Sequence, residues 1–446
     1  MLAYRAGAPI LAGQFLADVA RAGAALGSGA SVLNVCSDRY RFAVGLAAAL
    51  ATGKVSLLPS TRTPAVIAHL KSFAPDAVCL TDEDQCDLDL PLVRFPDAAG
   101  ADAPGRAAIP GAAAFTALVP RIEADQRAAW VFTSGSTGTP VPHEKTYGRL
   151  IDSMRVEGQR LGLAPGVSHT IVATVPPQHM YGLETSVLLP LASGNALTAE
   201  RPFYPADICA VLATAPRPRV LITTPIHLRA LMAADLAIPD TDLIVSATAP
   251  LSGQLASEVE QRCATRLLEI YGTTETGSIA VRRTTQTPEW RLWPEVRLEP
   301  RADGTWARGG HIEQPTRLCD VIEVTGPDRF LLHGRVADLV NIAGKRSSLA
   351  YLNHQLNAIP GVLDGAFFHC HAAAADAAVT RVGACVVAPG LDAAAITAEL
   401  RRRIDPVFLP RPLLLVASLP RTSTGKLPQE ALRSLAAAPP KPTPAA

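Results

Sequence analysis

Residues 133–145 read TSGSTGTPVPHEK, and the first seven are all Gly, Ser or Thr. The strand-like run AAWVF at 128–132 leads straight into them. Gly135 and Gly138 let the backbone turn tightly and bring N–H groups towards an anion, while Thr133, Ser134, Ser136 and Thr137 add hydroxyl donors. The G-x-x-x-x-G-K-[ST] spacing of a Walker loop is absent, and the nearest cation is delayed to Lys145. Alone, such a cluster is more often a plain surface turn than a phosphate site. Its meaning depends on what surrounds it.

Upstream and downstream of this loop, short apolar runs alternate with helical patterns. SVLNVC (31–36) precedes a helix over about 38–52 and then VSLLP (55–59). RVLITT (219–224) leads into PIHLRALMAAD, and DLIVSA (242–247) into SGQLASEVEQRCATR. Runs of four to six residues with β-branched members, each followed by a 3.6-residue period, predict βα units and a largely parallel sheet. Ligands of such sheets bind beyond the carboxyl ends of the strands, where the 133–140 loop would sit. The first 26 residues read as an amphipathic helix and not as a signal peptide. From about residue 290 the texture becomes β-rich, with WPEVRLEP, GTWARGG, CDVIEV and RFLLHGRVADLVNI separated by Gly and Pro. A helix near 348–358, strands near 362–370 and 381–388 and a helix near 392–403 are enough for a small α+β domain, followed by a Pro/Ala-rich tail.

Composition narrows the function classes. The chain has 446 residues, 48% of them hydrophobic, and a net charge of +1. It can bury a large core, and two or three domains are expected. No basic run of five or more occurs, which argues against nucleic acid as the main partner. The eight cysteines are scattered without a C-x-x-C pair, as expected of reduced thiols in a cytoplasmic protein. The longest uncharged apolar run, FAVGLAAALATG at 42–53, is too short to span a bilayer. Only six of the 41 basic residues are lysine, which singles out Lys145, Lys345 and Lys426 inside motifs.

Three further motifs follow the loop. YGTTETG (271–277) puts an aromatic, two threonines and a carboxylate within five residues, so that Tyr271 can cover a base, Thr273 or Thr274 can donate to phosphate and Glu275 can help hold Mg²⁺. LHGRVADLVNIAGKR (332–346) and LPRTSTGKLPQEALR (419–433) come next. Each alone reads as an ordinary loop. Together, in this order and at these separations, the four elements resemble the adenylate-forming superfamily of acyl- and aryl-CoA synthetases, peptide-synthetase adenylation domains and firefly luciferase. The resemblance spans nearly the whole chain.

That resemblance implies a large α/β N-terminal domain over 1–336, with mostly parallel sheets, helices and a β-rich subdomain. It further implies a small mobile α+β domain over 337–435, with 436–446 as a disordered tail. Thr133, Ser134, Gly135, Ser136, Thr137 and Gly138 would cover the phosphates of ATP. Thr248, in SATAP, would flank the adenine; Tyr271 would stack on it, beside Gly272 and Thr273; Thr274 would contact the α-phosphate and Glu275 would serve Mg²⁺. Asp320 and Arg335 would hold the ribose, and Lys426 would reach the reacting carboxylate and phosphate. The hinge would be Ala337, where relatives carry a charged residue, with Asp338 next. Val141 stands where relatives commonly have a loop lysine. The segment PPQHMYGLETSVLLPL (176–191) matches the acyl pocket, with His179, Met180, Tyr181 and Gly182 lining it. Amino-acid-activating relatives place an aspartate near Gly182 and Leu183; its absence disfavours a substrate ammonium, which would be buried unpaired.

The expected activity is ATP-dependent, AMP-forming ligation of an acid to a thiol. A carboxylate attacking phosphorus brings two anions together, so Mg²⁺ and Lys426 would offset the charge that builds up. The compact chain looks most like the short AMP-ligases of bacterial aryl-polyene and fatty-acid-type pathways. This implies a hydroxybenzoate-like aryl acid or an acyl acid as substrate, and acyl carrier protein as acceptor, with coenzyme A as the competing thiol. A non-catalytic nucleotide-binding module on the same fold is the other reading.

Overall fold

The computed structural model describes residues 1–59, 61–97, 119–134, 140–163, 166–335, 338–342, 345–370, 381–422 and 427–437. Two sheets carry the larger part of the chain. The first contains Ser31–Asn34 (β1), Val55–Leu58 (β2), Val78–Thr81 (β3), Leu92–Arg94 (β4), Arg127–Ser134 (β5) and Pro140–Thr146 (β6). Its spatial order is β4-β3-β1-β2-β5-β6, parallel except for β6, which turns back antiparallel to β5. Helices Arg39–Ala51 (α1) and Pro64–Phe73 (α2) make its crossovers. Asp38 caps α1 by accepting from the Arg41 N–H at 2.8 Å, and Tyr147–Leu161 (α3) ends on left-handed Gly162, φ 79°.

The second sheet has eleven strands. At its centre lie Thr170–Ala173 (β7), Ala196–Thr198 (β8), Arg219–Thr223 (β9), Leu243–Ser246 (β10), Leu267–Thr273 (β11) and Gly277–Arg282 (β12). Trp290–Leu292 (β13), Asp320–Gly326 (β14) and Arg329–Arg335 (β15) extend one side, giving the order β14-β15-β13-β12-β11-β10-β9-β7-β8 before an edge pair of Ala3–Arg5 and Ala8–Ile10. Strands β8, β7, β9, β10 and β11 run parallel and are almost wholly buried, as strands covered on both faces are. Between β7 and β8 the chain forms Met180–Leu183, one π turn Glu184–Leu188 and Leu189–Ser193, continuous and together α4. After β9 comes Pro225–Ala233 (α5), with Pro at its first position.

One expectation is corrected here and another is made specific. The N-terminal segment is not all helix: Ala3–Arg5 and Ala8–Ile10 form a hairpin on the sheet edge before the helix Ala12–Ala25, with Ala6 and Gly7 both at positive φ in the turn. CDVIEV and RFLLHGR, expected as strands of a β-rich subdomain, are β14 and β15 and continue the large sheet through β13, while Arg297–Arg301, Gly304–Arg308 and Thr316–Arg317 form a small sheet of their own. An apolar alternation reports half-burial and not which sheet supplies the partner strand.

Arg39 ties the two sheets together. Fully buried at the start of α1, it donates to the carbonyls of Ala173 (2.6 Å) and Val175 (3.1 Å) and to Ser186 Oγ (2.7 Å). It thus fixes the carboxyl end of β7 against α4. The C-terminal part packs a core of its own, in which Val340, Leu352, Phe367, Ala384, Ile396 and Phe408 are buried.

Candidate active site

Two of the four sequence motifs, the 133–140 loop and the 271–277 turn, lie at the carboxyl ends of parallel strands, together with Thr248. Thr133 and Ser134 end β5, Thr248 follows β10, and Tyr271 to Thr273 end β11. Gly135, Ser136, Thr137 and Gly138 lie outside the described residues. So do Ala337 and Lys426. The hairpin that flanks the loop is set by the register Thr133↔Val141 and Ser134↔Pro140. Thr133 Oγ1 lies 2.9 Å from His143 Nε2, and the same nitrogen is 3.9 Å from Glu275 Oε1. Two residues further from the tip on the same strand, Lys145 Nζ donates to the backbone carbonyl of Glu275 at 2.6 Å. The loop hairpin and the YGTTETG turn are therefore joined twice.

That turn is closed by its own side chains. Thr273 and Thr276 bond each other's backbone N–H groups at 3.3 and 3.2 Å, and Gly277 sits at φ 72°. A Cβ on Gly272 would lie 2.3 Å from the Gly277 carbonyl, so only glycine allows β11 and β12 to approach this closely. Tyr271 is buried to 8% exposure between Trp290 and Phe330, and its hydroxyl donates to Asp320 Oδ2 at 2.7 Å. Asp320 is in turn the cross-strand partner of Arg335. Two residues expected at the base and ribose, Tyr271 and Asp320, are thus joined, though most of the Tyr271 ring is packed in the protein. Thr248 has φ 77°, a left-handed conformation unusual for a β-branched residue.

The predicted acid-pocket residues are placed by α4. His179 is its N-cap residue, Met180 and Gly182 are buried, and Tyr181 donates from its hydroxyl to the carbonyls of Thr223 (3.2 Å) and Val245 (3.1 Å) at the ends of β9 and β10. Gly182 has a packing reason of its own: an added Cβ would stand 1.9 Å from the Pro176 carbonyl.

Sequence reasoning missed a buried polar cluster beneath the turn. Glu184 accepts from the Ser278 N–H at 3.2 and 3.3 Å, Ser278 Oγ donates to Glu157 Oε2 at 2.5 Å, and Glu313 Oε1 accepts from the Thr146 N–H and hydroxyl at 2.8 and 2.6 Å. His311 Nε2 is 3.1 Å from the Thr276 carbonyl, which can only accept, so that nitrogen carries the proton. A small cavity of about 10 Å³ lies among Lys145, Met180, Glu184, Thr276, His311 and Glu313. Burial holds the Lys145 ammonium below its ordinary pKa, against the pull of Glu184, Glu313 and Glu275. Burial also raises Glu184, with Lys145 opposing, and raises Glu157, with Glu184 adding to it. The signal for this cluster was present only as a Glu two residues after Gly182 and a lysine five after Pro140; nothing in one dimension says that they face each other.

Residues 13–328 match the family model described as AMP-binding enzyme. The chain belongs to the AMP-binding enzyme family. Over 298 residues it is 31% identical to a 4-coumarate--CoA ligase of Rhodobacter capsulatus, covering 66% of this chain and 73% of that protein. A 3-hydroxybenzoate--CoA/4-hydroxybenzoate--CoA ligase of Thauera aromatica is 24% identical over 370 residues, 71% of this chain and 67% of its own. The fold superposes on ATP-bound MatB from Rhodopseudomonas palustris with TM-score 0.79 and 19% identity, covering 97% and 95% of the two chains. The anthranilate CoA ligase AuaEII in complex with anthranoyl-AMP gives TM-score 0.78 at 16% identity, covering 98% and 94%. This AMP-binding enzyme is an ATP-dependent, AMP-forming ligase. None of these comparisons involves a carrier protein. No helix among the described residues is long and apolar enough to cross a membrane.

Proposed function

We propose that this AMP-binding enzyme activates an aryl acid with ATP and transfers the acyl group to a thiol. The carboxylate oxygen bonds to the α-phosphorus as the bond to the bridging oxygen breaks and pyrophosphate leaves. The thiol sulfur then bonds to the acyl carbon, its proton passes to solvent, and AMP departs. The observation that carries the reading is the 31% identity to a 4-coumarate--CoA ligase, supported by the hydroxybenzoate ligase relative. Those names favour coenzyme A as acceptor over the carrier protein expected from the sequence.

In this reading Thr133 to Gly138 cover the phosphates, Thr274 donates to the α-phosphate, and Tyr271, Asp320, Thr248 and Arg335 hold the nucleoside. His179, Met180, Tyr181 and Gly182 border the acid. Lys426 brings the decisive ammonium from the small unit, whose boundary we put near 336–338, with Ala337 as hinge. Mg²⁺ fits the donor set: among the described residues no cluster of three ligating side chains exists, and Glu275 offers one partly exposed carboxylate at a turn held by Lys145. One carboxylate plus substrate phosphates is the usual Mg²⁺ environment. When bound, the ion offsets phosphate charge.

ATP–pyrophosphate exchange over hydroxybenzoates, hydroxycinnamates and fatty acids tests the first step, with thioester formation from coenzyme A and from a holo carrier protein measured in parallel. Exchange with aryl acids and thioester with coenzyme A are expected. Lys426→Ala should lower exchange about a hundredfold or more, the usual scale for losing a group that meets developing charge. Nucleotide binding without exchange across the panel would favour the non-catalytic reading.

A further inference from the structure

His227 lies three residues into α5, at the carboxyl end of β9, and is 4% exposed. Its Nδ1 is 2.8 Å from Thr224 Oγ1 and 3.3 Å from Thr174 Oγ1, and Thr174 in turn meets Thr223 Oγ1 at 3.1 Å. Its Nε2 is buried with no hydrogen-bond partner. Buried polar atoms are almost always paired, so an orphan at the carboxyl end of a parallel sheet asks for a ligand. Tyr181, from the segment expected to border the acid, lands its hydroxyl on the Thr223 carbonyl beside this group.

The geometry points to His227 as the residue that recognises a ring hydroxyl on the acid, which makes hydroxylated aryl acids the preferred substrates. This rests on the aryl-acid reading above and adds the residue that selects within that class. The threonine hydroxyls around Nδ1 can donate or accept, so the imidazole can present Nε2 either as N–H or as lone pair. A hydroxyl satisfies both cases, because it donates and accepts; an ether only accepts and a C–H does neither. Burial pushes the His227 pKa down to about 4, so the ring is neutral at physiological pH and does not call for a second anion on the substrate. Phe203 packs edge-on against the imidazole, 5.2 Å between centroids at 89°, and is itself 47% exposed. A half-exposed ring over a buried one is a ready cover that can yield to an entering acid.

The test compares exchange kcat/KM for ring-hydroxylated acids with their deoxy and methoxy analogues, in the full chain and in His227→Phe and His227→Gln. Wild type is expected to prefer the hydroxylated acid about tenfold or more, the scale set by one unmade hydrogen bond. His227→Phe should bring that ratio towards one, while His227→Gln, which keeps a donor and an acceptor, should retain part of it. An unchanged ratio in His227→Phe overturns the proposal. If the variants do not fold, the wild-type series decides: equal rates for hydroxy and methoxy acids overturn it. Wild type that turns over only aliphatic acids is a different result, since it removes the aryl-acid reading and this proposal with it.

Discussion

Lys145 shows how much a single residue can link. Lys145 is 5% exposed, and its ammonium holds the Glu275 carbonyl and so couples the β5–β6 hairpin to the YGTTETG turn. A hydrogen bond from a charged group contributes about 1.5–3 kcal/mol, so Lys145→Met should lower kcat/KM for ATP by about ten- to a hundredfold. Exchange kinetics at varied ATP check this, and a wild-type value would remove Lys145 from the positioning of the turn. Glu157 makes a prediction about pH. Burial and the neighbouring Glu184 raise its pKa from 4.5 to about 8, so the folded state favours the protonated form. Stability from this group is fully present below pH 4.5 and is lost as pH rises through about 8, because the unfolded state then gives up a proton that the native state keeps. Glu157→Gln should therefore flatten the stability profile between those values and gain on wild type above pH 8. Urea unfolding at a series of pH values measures it.

At the scale of the element, α4 is the part whose sequence and structure answer differently. From sequence, His179 and Gly182 matched a pocket pattern. In the fold, Gly182 is also the point where the first turn of α4 presses on the Pro176 carbonyl, and Arg39 reaches Ser186 one turn later. A methyl at 182 would meet backbone that cannot shift as a flexible side chain could. Gly182→Ala is expected to cost about 3 kcal/mol, at the upper end for overpacking, with a lower urea midpoint at unchanged slope. A cost under about 0.5 kcal/mol would mean that α4 moves freely and does not fix the pocket wall.

The whole molecule has two kinds of interior. The core shared by the two large sheets, running from Phe15 through Met154 to Ile270, is distinct from the one around Phe367 and Ile396. Separate cores allow separate unfolding. Phe367→Ala should remove about 3–5 kcal/mol from the small unit. Calorimetry should then show an early transition split from an unaltered main one. A single transition shifted as a whole would mean that the two units unfold together.

The order of βα units and the family were both legible along the chain. These follow from local period and from motifs whose spacing is read along one dimension. The turn 271–277 was legible as a turn because its glycines stand where strands approach too closely for a side chain or take positive φ. What only the tertiary structure decided is which groups stand in contact: that Tyr271 bonds Asp320, that Lys145 reaches across 130 residues to Glu275, that Glu157, Glu184 and Ser278 share one buried network, and that His227 ends with an unpaired nitrogen. The physical reason is that burial and pairing belong to a position in the packed molecule. A charged or polar residue looks the same in sequence whether water or another side chain completes it.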